Sequence, residues 1–420
     1  MEFDRRRLLQ LAGWSGLAWL TPLARALARQ EEAAPSGAPA RSLILLWLDG
    51  GPSQLETFDP QPDRPIASGT RAIKTALGGV QLAAGLERTA EMMESLSIVR
   101  SLVSSEGDHQ RGTWLVKTGY RPNASLLYPS IGAILSHELS GAGVDLPRHI
   151  SILSDHWAGR GGVLGDEYDA YMAGDPIHPL PDVTARAPDD RYQRRMDDLA
   201  VVEDAFARGR RALAERTLHR QAIAGARRFM SSEQLKAFDV SQEPAELRAA
   251  YGDTPFGRGC LAARRLTEAG VRCVEVSLGT WDSHIKNHEI HDRRKAELDP
   301  ALAALVGDLK TRGTLAHTMV LCTGEFGRAP QMNRAGGRDH WTHGFSAVLA
   351  GGGLRGGQII GATDPEGGKE PHDPRPVADL HATILTAFGL DPAKEYPTPI
   401  GRPIKLSEGR PMPELLGASV

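Results

Sequence analysis

The stretch Leu43–Ser53, LILLWLDGGPS, decides the reading of this chain: an unbroken apolar run stops at Asp49 and turns through two glycines and a proline. A run without polar alternation suits a strand covered on both faces, as in parallel sheets with helices above and below. Two later stretches repeat the design. VRCVEVSLGTWDSH (271–284) ends at Asp282 and His284, and HTMVLCTGEFGR (317–328) ends around Glu325. Parallel strands deliver their C-terminal residues to one edge, which is where open α/β sheets bind ligands. GRDHWTHG (337–344) adds Asp339, His340 and His343. Carboxylates and imidazoles of the kind that hold a catalytic divalent metal are therefore expected together at that edge.

Outward from these runs the chain keeps alternating. Strands are expected at 96–103 and 149–153, and 130–139 has helical spacing. From Phe256 a helix ends at Gly270, a strand covers 271–278, and the helix LDPALAALVGDLKTRG ends at Gly313 before a strand from Thr318. SAVLAGGGLRGGQIIGAT gives a strand, a Gly-rich turn and a short strand, and DLHATILTAFGLDP gives a helix with Asp379 as N-cap. This alternation predicts one α/β domain over 41–420, built on a central, mostly parallel, doubly wound sheet with helices on both faces. The charged, Arg- and Ala-rich segment 189–247 reads as two or three amphipathic helices inserted into it.

Residues 1–28 read as an export signal of the twin-arginine type: Arg5, Arg6 and Arg7, a short apolar stretch from Leu8 to Leu20, then Ala26-Leu27-Ala28 as a cleavage site. The stretch is too short and too rich in small residues for a confident membrane span, its alternative reading is a retained N-terminal anchor, and 29–40 reads as a flexible linker. A periplasmic or extracellular location follows. With 420 residues and a formal net charge of -3, the chain lacks the basic excess of a nucleic-acid binder. Cys260, Cys273 and Cys322 are too few for a disulfide framework and read as packed thiols.

Asp49 is followed by Gly50, Gly51, Pro52 and Ser53, whose small side chains let backbone approach an ion or anion, with Ser53 a candidate substrate contact. Asp282 and His284 are two residues apart, so on an extended segment both point the same way and can grip one metal. His288 is a further candidate ligand, whereas His291 is expected at the surface. Glu325 is expected to be exposed at the sheet edge between flanking glycines. Arg328 is open to two readings, a two-pronged contact with an anionic substrate or a structural partner of Glu325. His340 is the favoured late imidazole, with Asp339 orienting it and His343 beside it. His109, Arg111 and Thr113, in DHQRGT (108–113), offer an imidazole, a guanidinium and a hydroxyl for oxyanion binding and proton transfer. Mixed carboxylate and imidazole donors without thiolate suit Zn²⁺ or Mn²⁺, and Mg²⁺ or Ca²⁺ only if few histidines bind.

LILLWLDGGPSQLETFDP, HQRGTWLVKTGY, WDSH, GEFGRAPQ, GGRDHW, VLAGGGLRGGQIIGATD and DLHATILTAFGLDP together resemble the domain of unknown function 1501 family, placed in the alkaline phosphatase and sulfatase superfamily. The resemblance spans about Ser42 to Pro392. It implies an alkaline-phosphatase-like sheet with one or two divalent ions at its C-terminal edge. Asp49 then resembles the first metal-binding Asp, Asp282 and His284 the pair holding the other metal, and His340 or His343 the late His. Glu325 stands where a strand-terminal Asp precedes a His that is here Phe326. At the nucleophile's position the chain has His109, without hydroxyl or thiol. Thr113, Ser104, Ser105 or Ser53 would have to serve, or water activated by the ion.

The expectation is an exported metal-dependent hydrolase of phosphate or sulfate esters, acting on an anionic small molecule or glycan. The alternative from another class is a non-catalytic exported binding protein on the same fold. A third reading, a phosphoryl mutase or transferase, shares the same ligands.

Overall fold

The computed structural model describes residues 39–417 apart from 140–142, 155–157, 182 and 210–218. The export signal and nearly all of the 29–40 linker lie outside the described residues. The linker's last residue, Ala40, is already buried and donates its N–H to Ala387 O at 3.0 Å.

The main sheet contains β1 (Ser42–Leu48), β2 (Leu96–Val103), β3 (His149–Ile152), β4 (Tyr171–Ala173), β5 (Cys273–Leu278), β6 (Thr318–Thr323), β7 (Phe345–Gly351), β8 (Ile359–Ile360) and β9 (Arg375–Pro376). Their spatial order is β8-β2-β7-β6-β1-β5-β3-β4, with β9 pairing β2 off that path. β7 runs antiparallel to its neighbours β2 and β6, and every other pairing is parallel. The longer helices are α1 (His109–Thr118), α2 (Ile131–Glu138), α3 (Asp189–Ala207), α4 (His219–Ser231), α5 (Pro255–Glu268), α6 (Asn287–Thr311) and α7 (Val377–Ala387).

β1 shows why its apolar run is unbroken. Leu43, Leu45 and Trp47 enter one core cluster, with Leu115 of α1, Ile134 of α2 and Ile384 of α7. Ile44, Leu46 and Leu48 enter the other, with Leu261 of α5 and Leu302 of α6. Burying one such side chain contributes about 1.5–3 kcal/mol, so the two faces together fix β1 at the centre of an α/β/α sandwich. Cys260, Cys273 and Cys322 are buried free thiols in this core.

Three local expectations change. Helix α6 starts at Asn287, well before the LDPALAAL run, because its first turns bury polar side chains: Asn287, His291 and Lys295 share the inward face with Leu298 and Leu302. His291, expected at the surface, is fully buried; its Nδ1–H donates to Asn287 O at 2.9 Å and its Nε2 accepts from Ser53 N at 2.8 Å. Burial pushes this imidazole down to about 4, so it is neutral. In α7 the N-cap is Pro376, and Asp379 sits in the first turn, where it accepts from Arg410 N at 2.8 Å. The 189–247 segment holds α3, α4 and the start of a short helix at Ala245–Tyr251. Among the described residues no helix is long and apolar enough to cross a membrane.

Candidate functional site

The C-terminal ends of β1, β2, β5 and β6 share one edge, and the reversed β7 begins there. Its reversal is what brings 337–344 to that edge, since this segment enters β7 from the same side. Two short pairings hold the segment in place. His340–Trp341 pairs antiparallel with Gly327–Arg328, and Arg338 N donates to Ser283 O at 2.9 Å. From β2 the chain passes through Gly107 to Asp108, whose carboxylate caps α1 by accepting from Arg111 N at 3.1 Å. His109 therefore stands at the first position of α1. Gly112 lets that first turn lie close to β6's end, because a Cβ there would be 3.2 Å from Glu325 Cβ and 3.0 Å from the Phe326 ring.

Three imidazoles meet around Asp282. The His284 Nε2 lies 3.1 Å from Asp282 Oδ1 and 3.0 Å from His340 Nε2. His340 Nε2 is 3.5 Å from the same oxygen, and His109 Nε2 is 3.4 Å from Asp282 Oδ2. One ligand atom each of His109, Asp282 and His340 lie within 4.8 Å of one another. In each ring the opposite nitrogen is already engaged. His340 Nδ1 is 2.6 Å from Gly107 O, His284 Nδ1 is 3.0 Å from Asp339 Oδ1, and His109 Nδ1 is 2.6 Å from Glu325 Oε1. A backbone carbonyl only accepts, so His340 carries its hydrogen on Nδ1 and turns the Nε2 lone pair inward. The Asp339 carboxylate imposes the same tautomer on His284. Such outer partners are what fix the orientation of metal-binding histidines.

The electrostatics support that arrangement. Asp282 is pulled far below the ordinary carboxylate range: burial opposes ionisation, but His109, His340 and Arg328 outweigh it. The Asp282 carboxylate near its Nε2, and then the Glu325 carboxylate bonded to its Nδ1, raise His109 to about 9. Burial pushes Glu325 upward and the charge of Asp49 adds to this, while His109 opposes it. Glu325 and His109 are therefore coupled in their titration.

The other expected residues are placed as follows. Asp49 is half-buried at the end of β1, 3.4 Å from Trp47 Nε1, on the Glu325 side and outside the trio. Glu325 is fully buried instead of exposed at the edge; its Oε1 also accepts from Gly50 N at 3.0 Å. Arg328 is fully buried as well, and it pairs with Asp282 Oδ1 (2.6 Å), not Glu325. Its other donors go to the carbonyls of Gly50, Gly51 and Arg338, which leaves no two-pronged face for a substrate. Asp339 orients His284, not His340. His343 packs its ring on Trp341 with centroids 4.9 Å apart and is not in the convergent set. His288 turns away to Ser68 O at 3.0 Å.

Arg111 lies on the rim, half-exposed, and its guanidinium is held by Glu106 at 2.6 and 2.9 Å. Thr113 and Ser53 are buried, and Ser104 Oγ is engaged within its own turn, donating to Glu106 O at 3.1 Å. Sequence reasoning missed Gly107, Glu106 and Asn333, whose Nδ2 donates to His284 O at 3.0 Å. Gly107 acts through its carbonyl, which leaves no side-chain signature.

This donor set fits a divalent transition ion. His109 Nε2 and Glu325 Oε2 are buried polar atoms with no hydrogen-bond partner, and two inward lone pairs 3.0 Å apart on His284 and His340 repel unless a cation or proton lies between them. Two imidazole nitrogens with one carboxylate, and a third imidazole at His284 beside them, match the borderline-soft preference of zinc and its neighbours better than the all-oxygen preference of calcium.

The chain is similar in structure to the lipoteichoic acid synthase LtaP from Listeria monocytogenes, at 9% identity and a TM-score of 0.42 over 87% of this chain and 78% of that one. It is similar to a protein in the alkaline phosphatase superfamily from Vibrio parahaemolyticus, at 12% identity and a TM-score of 0.37 over 92% and 76%. It is also similar to the PsFucS1 sulfatase from Pseudoalteromonas sp., at 14% identity and a TM-score of 0.35 over 89% and 72%. All three lie below the similarity at which a shared activity follows. No curated protein matches the sequence. The family model described as "Protein of unknown function (DUF1501)" matches residues 40–416, and the chain belongs to that family.

Proposed function

We propose that the protein is an exported, metal-dependent hydrolase of phosphate or sulfate esters. The observation that carries this is the convergence of three imidazoles, each anchored at Nδ1, on the Asp282 carboxylate at the ligand-binding edge of the sheet. His109, Asp282 and His340 would hold the ion, with His284 beside them as a further donor. When bound, it supplies a Lewis acid that polarises an ester oxygen and lowers the pKa of water.

The chain's own groups do the rest. Gly107 O, Asp339 and Glu325 keep the three rings aimed at one point, so no reorganisation is needed when charge develops. The Glu325–His109 pair stores a proton beside the reacting centre. Arg111, at the rim, draws in an anionic substrate, with Glu106 holding its guanidinium in place. Thr113 and Ser53 are buried and Ser104 Oγ is engaged with Glu106 O, which favours water as the nucleophile over the remaining hydroxyl, the exposed Ser105. Export rests on the N-terminal signal reading.

Metal analysis of the purified protein, with a screen of aryl phosphates and aryl sulfates, tests the proposal. Turnover that requires the ion and is lost in Asp282→Asn supports it; folded protein that takes up no metal sinks it. The buried hydroxyls favour a second reading, a binding protein that keeps the ion but not the chemistry. Glycan binding without turnover under any divalent ion would select that reading.

A further inference from the structure

Arg338 is fully buried immediately before Asp339 and His340, and its side chain faces the interior. Nε and Nη2 donate to Glu56 Oε1 at 3.2 and 2.9 Å, Nη2 also to Ile66 O at 2.9 Å, and Nη1 to Ala329 O at 3.0 Å and to Pro330 O. A guanidinium has five N–H donors, so none is left for a substrate. Its counter-charge, Glu56, is equally buried, and the same Oε1 accepts from Thr70 Oγ1 at 2.9 Å.

The backbone around Arg338 is tied to the site-bearing turns. Its N–H donates to Ser283 O at 2.9 Å, between Asp282 and His284, and its carbonyl accepts from Arg328 Nη1 at 3.2 Å. Gly337 lies so close to the β5 turn that a Cβ there would be 2.0 Å from His284 C. The strand pairing that carries His340, by contrast, is only His340–Trp341 on Gly327–Arg328. So short a ladder does not fix its own register, and the clamp beside it supplies what the ladder lacks.

We propose that Glu56 is a positioning residue of the ion site. By anchoring the Arg338 guanidinium it fixes the 337–341 segment, and with it the aim of His340 and the place of the Asp339 carboxylate behind His284, without touching the ion. This role rests on the metal-dependent reading above. Without the Glu56 charge, Arg338 is a buried guanidinium lacking its counter-ion. It relaxes towards water and draws the backbone of 338–340 with it, while His109, held from α1 by Glu325, keeps its own aim.

Ion binding by the folded, full-length protein tests this. Zinc affinity is measured by competition with a chelator. The visible bands of the Co²⁺-loaded protein report its ligands, because they weaken when a protein ligand is exchanged for water and the coordination number rises. Glu56→Gln is expected to bind zinc roughly 10–100-fold more weakly, with weakened Co²⁺ bands. Glu243→Gln, which removes the carboxylate charge 2.9 Å from buried Arg264 in α5, is expected to keep wild-type affinity and bands. Acting through Arg338, Glu56→Gln combined with Arg338→Met should lose no more affinity than the more damaging single change. If Glu56→Gln does not fold, Thr70→Val, which frees Glu56 of one hydrogen bond, decides, and a few-fold weaker zinc binding is expected.

Wild-type affinity and bands in folded Glu56→Gln, or in Thr70→Val where that variant decides, overturn the inference and leave the hydrolase reading standing. Additive losses in the double variant, or an equal loss in Glu243→Gln, overturn it as well. Zinc binding that depends on Glu56 in a protein without ester turnover sinks the hydrolase reading alone. A wild type that takes up no zinc overturns both.

Discussion

The Nε2 atoms of His284 and His340 face each other at 3.0 Å although each ring has its Nδ1 committed elsewhere, one to Asp339 and one to the carbonyl of Gly107. The partners that impose this lie 55 and 233 residues away along the chain, so the pairing exists only in the folded molecule. Two lone pairs held at that separation define a receptor for a positive charge.

A graded loss of metal affinity follows. His340→Ala removes a ligand and is expected to abolish tight zinc binding. Asp339→Asn and Glu325→Gln leave the ligands but loosen their orientation, and roughly 10–100-fold weaker binding is expected. Competition against a chromogenic chelator measures all three. Equal affinity in Asp339→Asn and wild type would show that the outer partner does not orient His284.

The hydroxyl of Thr113 is buried and unpartnered one turn along α1 from His109. Thr113→Val keeps its shape and removes the oxygen. If water attacks the ester, kcat on an aryl ester changes by no more than a few-fold and no covalent adduct forms. A loss on the order of 10³-fold, or more, would make Thr113 the nucleophile.

Gly50 has φ +111, and a Cβ there would lie 2.6 Å from Asp282 N and 2.8 Å from Trp281 N. Gly50→Ala therefore forces the β1 turn away from the β5 turn and displaces Asp282. Denaturant unfolding is expected to show a loss of roughly 2–3 kcal/mol, strain at a special backbone position being among the large-effect mechanisms. Metal affinity should fall with it. Unchanged stability and metal binding would show that the two turns are not rigidly seated on each other.

Glu275, buried in the middle of β5, receives Lys117 Nζ at 2.8 Å and His149 Nε2 at 3.1 Å. Burial alone would raise its carboxyl, but Lys117 and His149 outweigh it and hold the group at about 2, below its ordinary 4.5. Its ionised form stabilises the fold fully above about 4.5, and that contribution is lost as pH falls towards 2. Glu275→Gln is expected to cost roughly 3–5 kcal/mol at neutral pH, because it removes the buried carboxylate charge that faces Lys117 and His149. It should also flatten the acid limb of the stability profile. Chemical denaturation between pH 2 and 7 checks both, and an unchanged acid limb would remove Glu275 from the account.

Much of the scaffold was legible from residue order. The apolar runs of β1, β5 and β6 have the lengths and burial expected of central strands, and the glycines after α5 and α6 end those helices in left-handed turns. The start of α6 was hidden because Asn287, His291 and Lys295 carry polar atoms into its buried face. A hydrophobic period cannot report side chains whose burial depends on hydrogen bonds such as His291 to Ser53 N.

The sequence by itself determined that carboxylates and imidazoles end the central strands, since strand direction and apolar run length are local properties. It also marked Asp49, Asp282, Glu325 and His340 as residues of one rim. Only the tertiary structure decided how they divide: Asp282, His109 and His340 converge with His284 against Asp282 and His340, Glu325 and Asp339 stand behind them, and Asp49 is on the Glu325 side. It alone decided that Arg328 is buried beneath the exposed Asp282 and pairs with it. The physical reason is that ring tautomer, burial and guanidinium pairing depend on backbone carbonyls and carboxylates brought in by distant segments, and no local pattern encodes those.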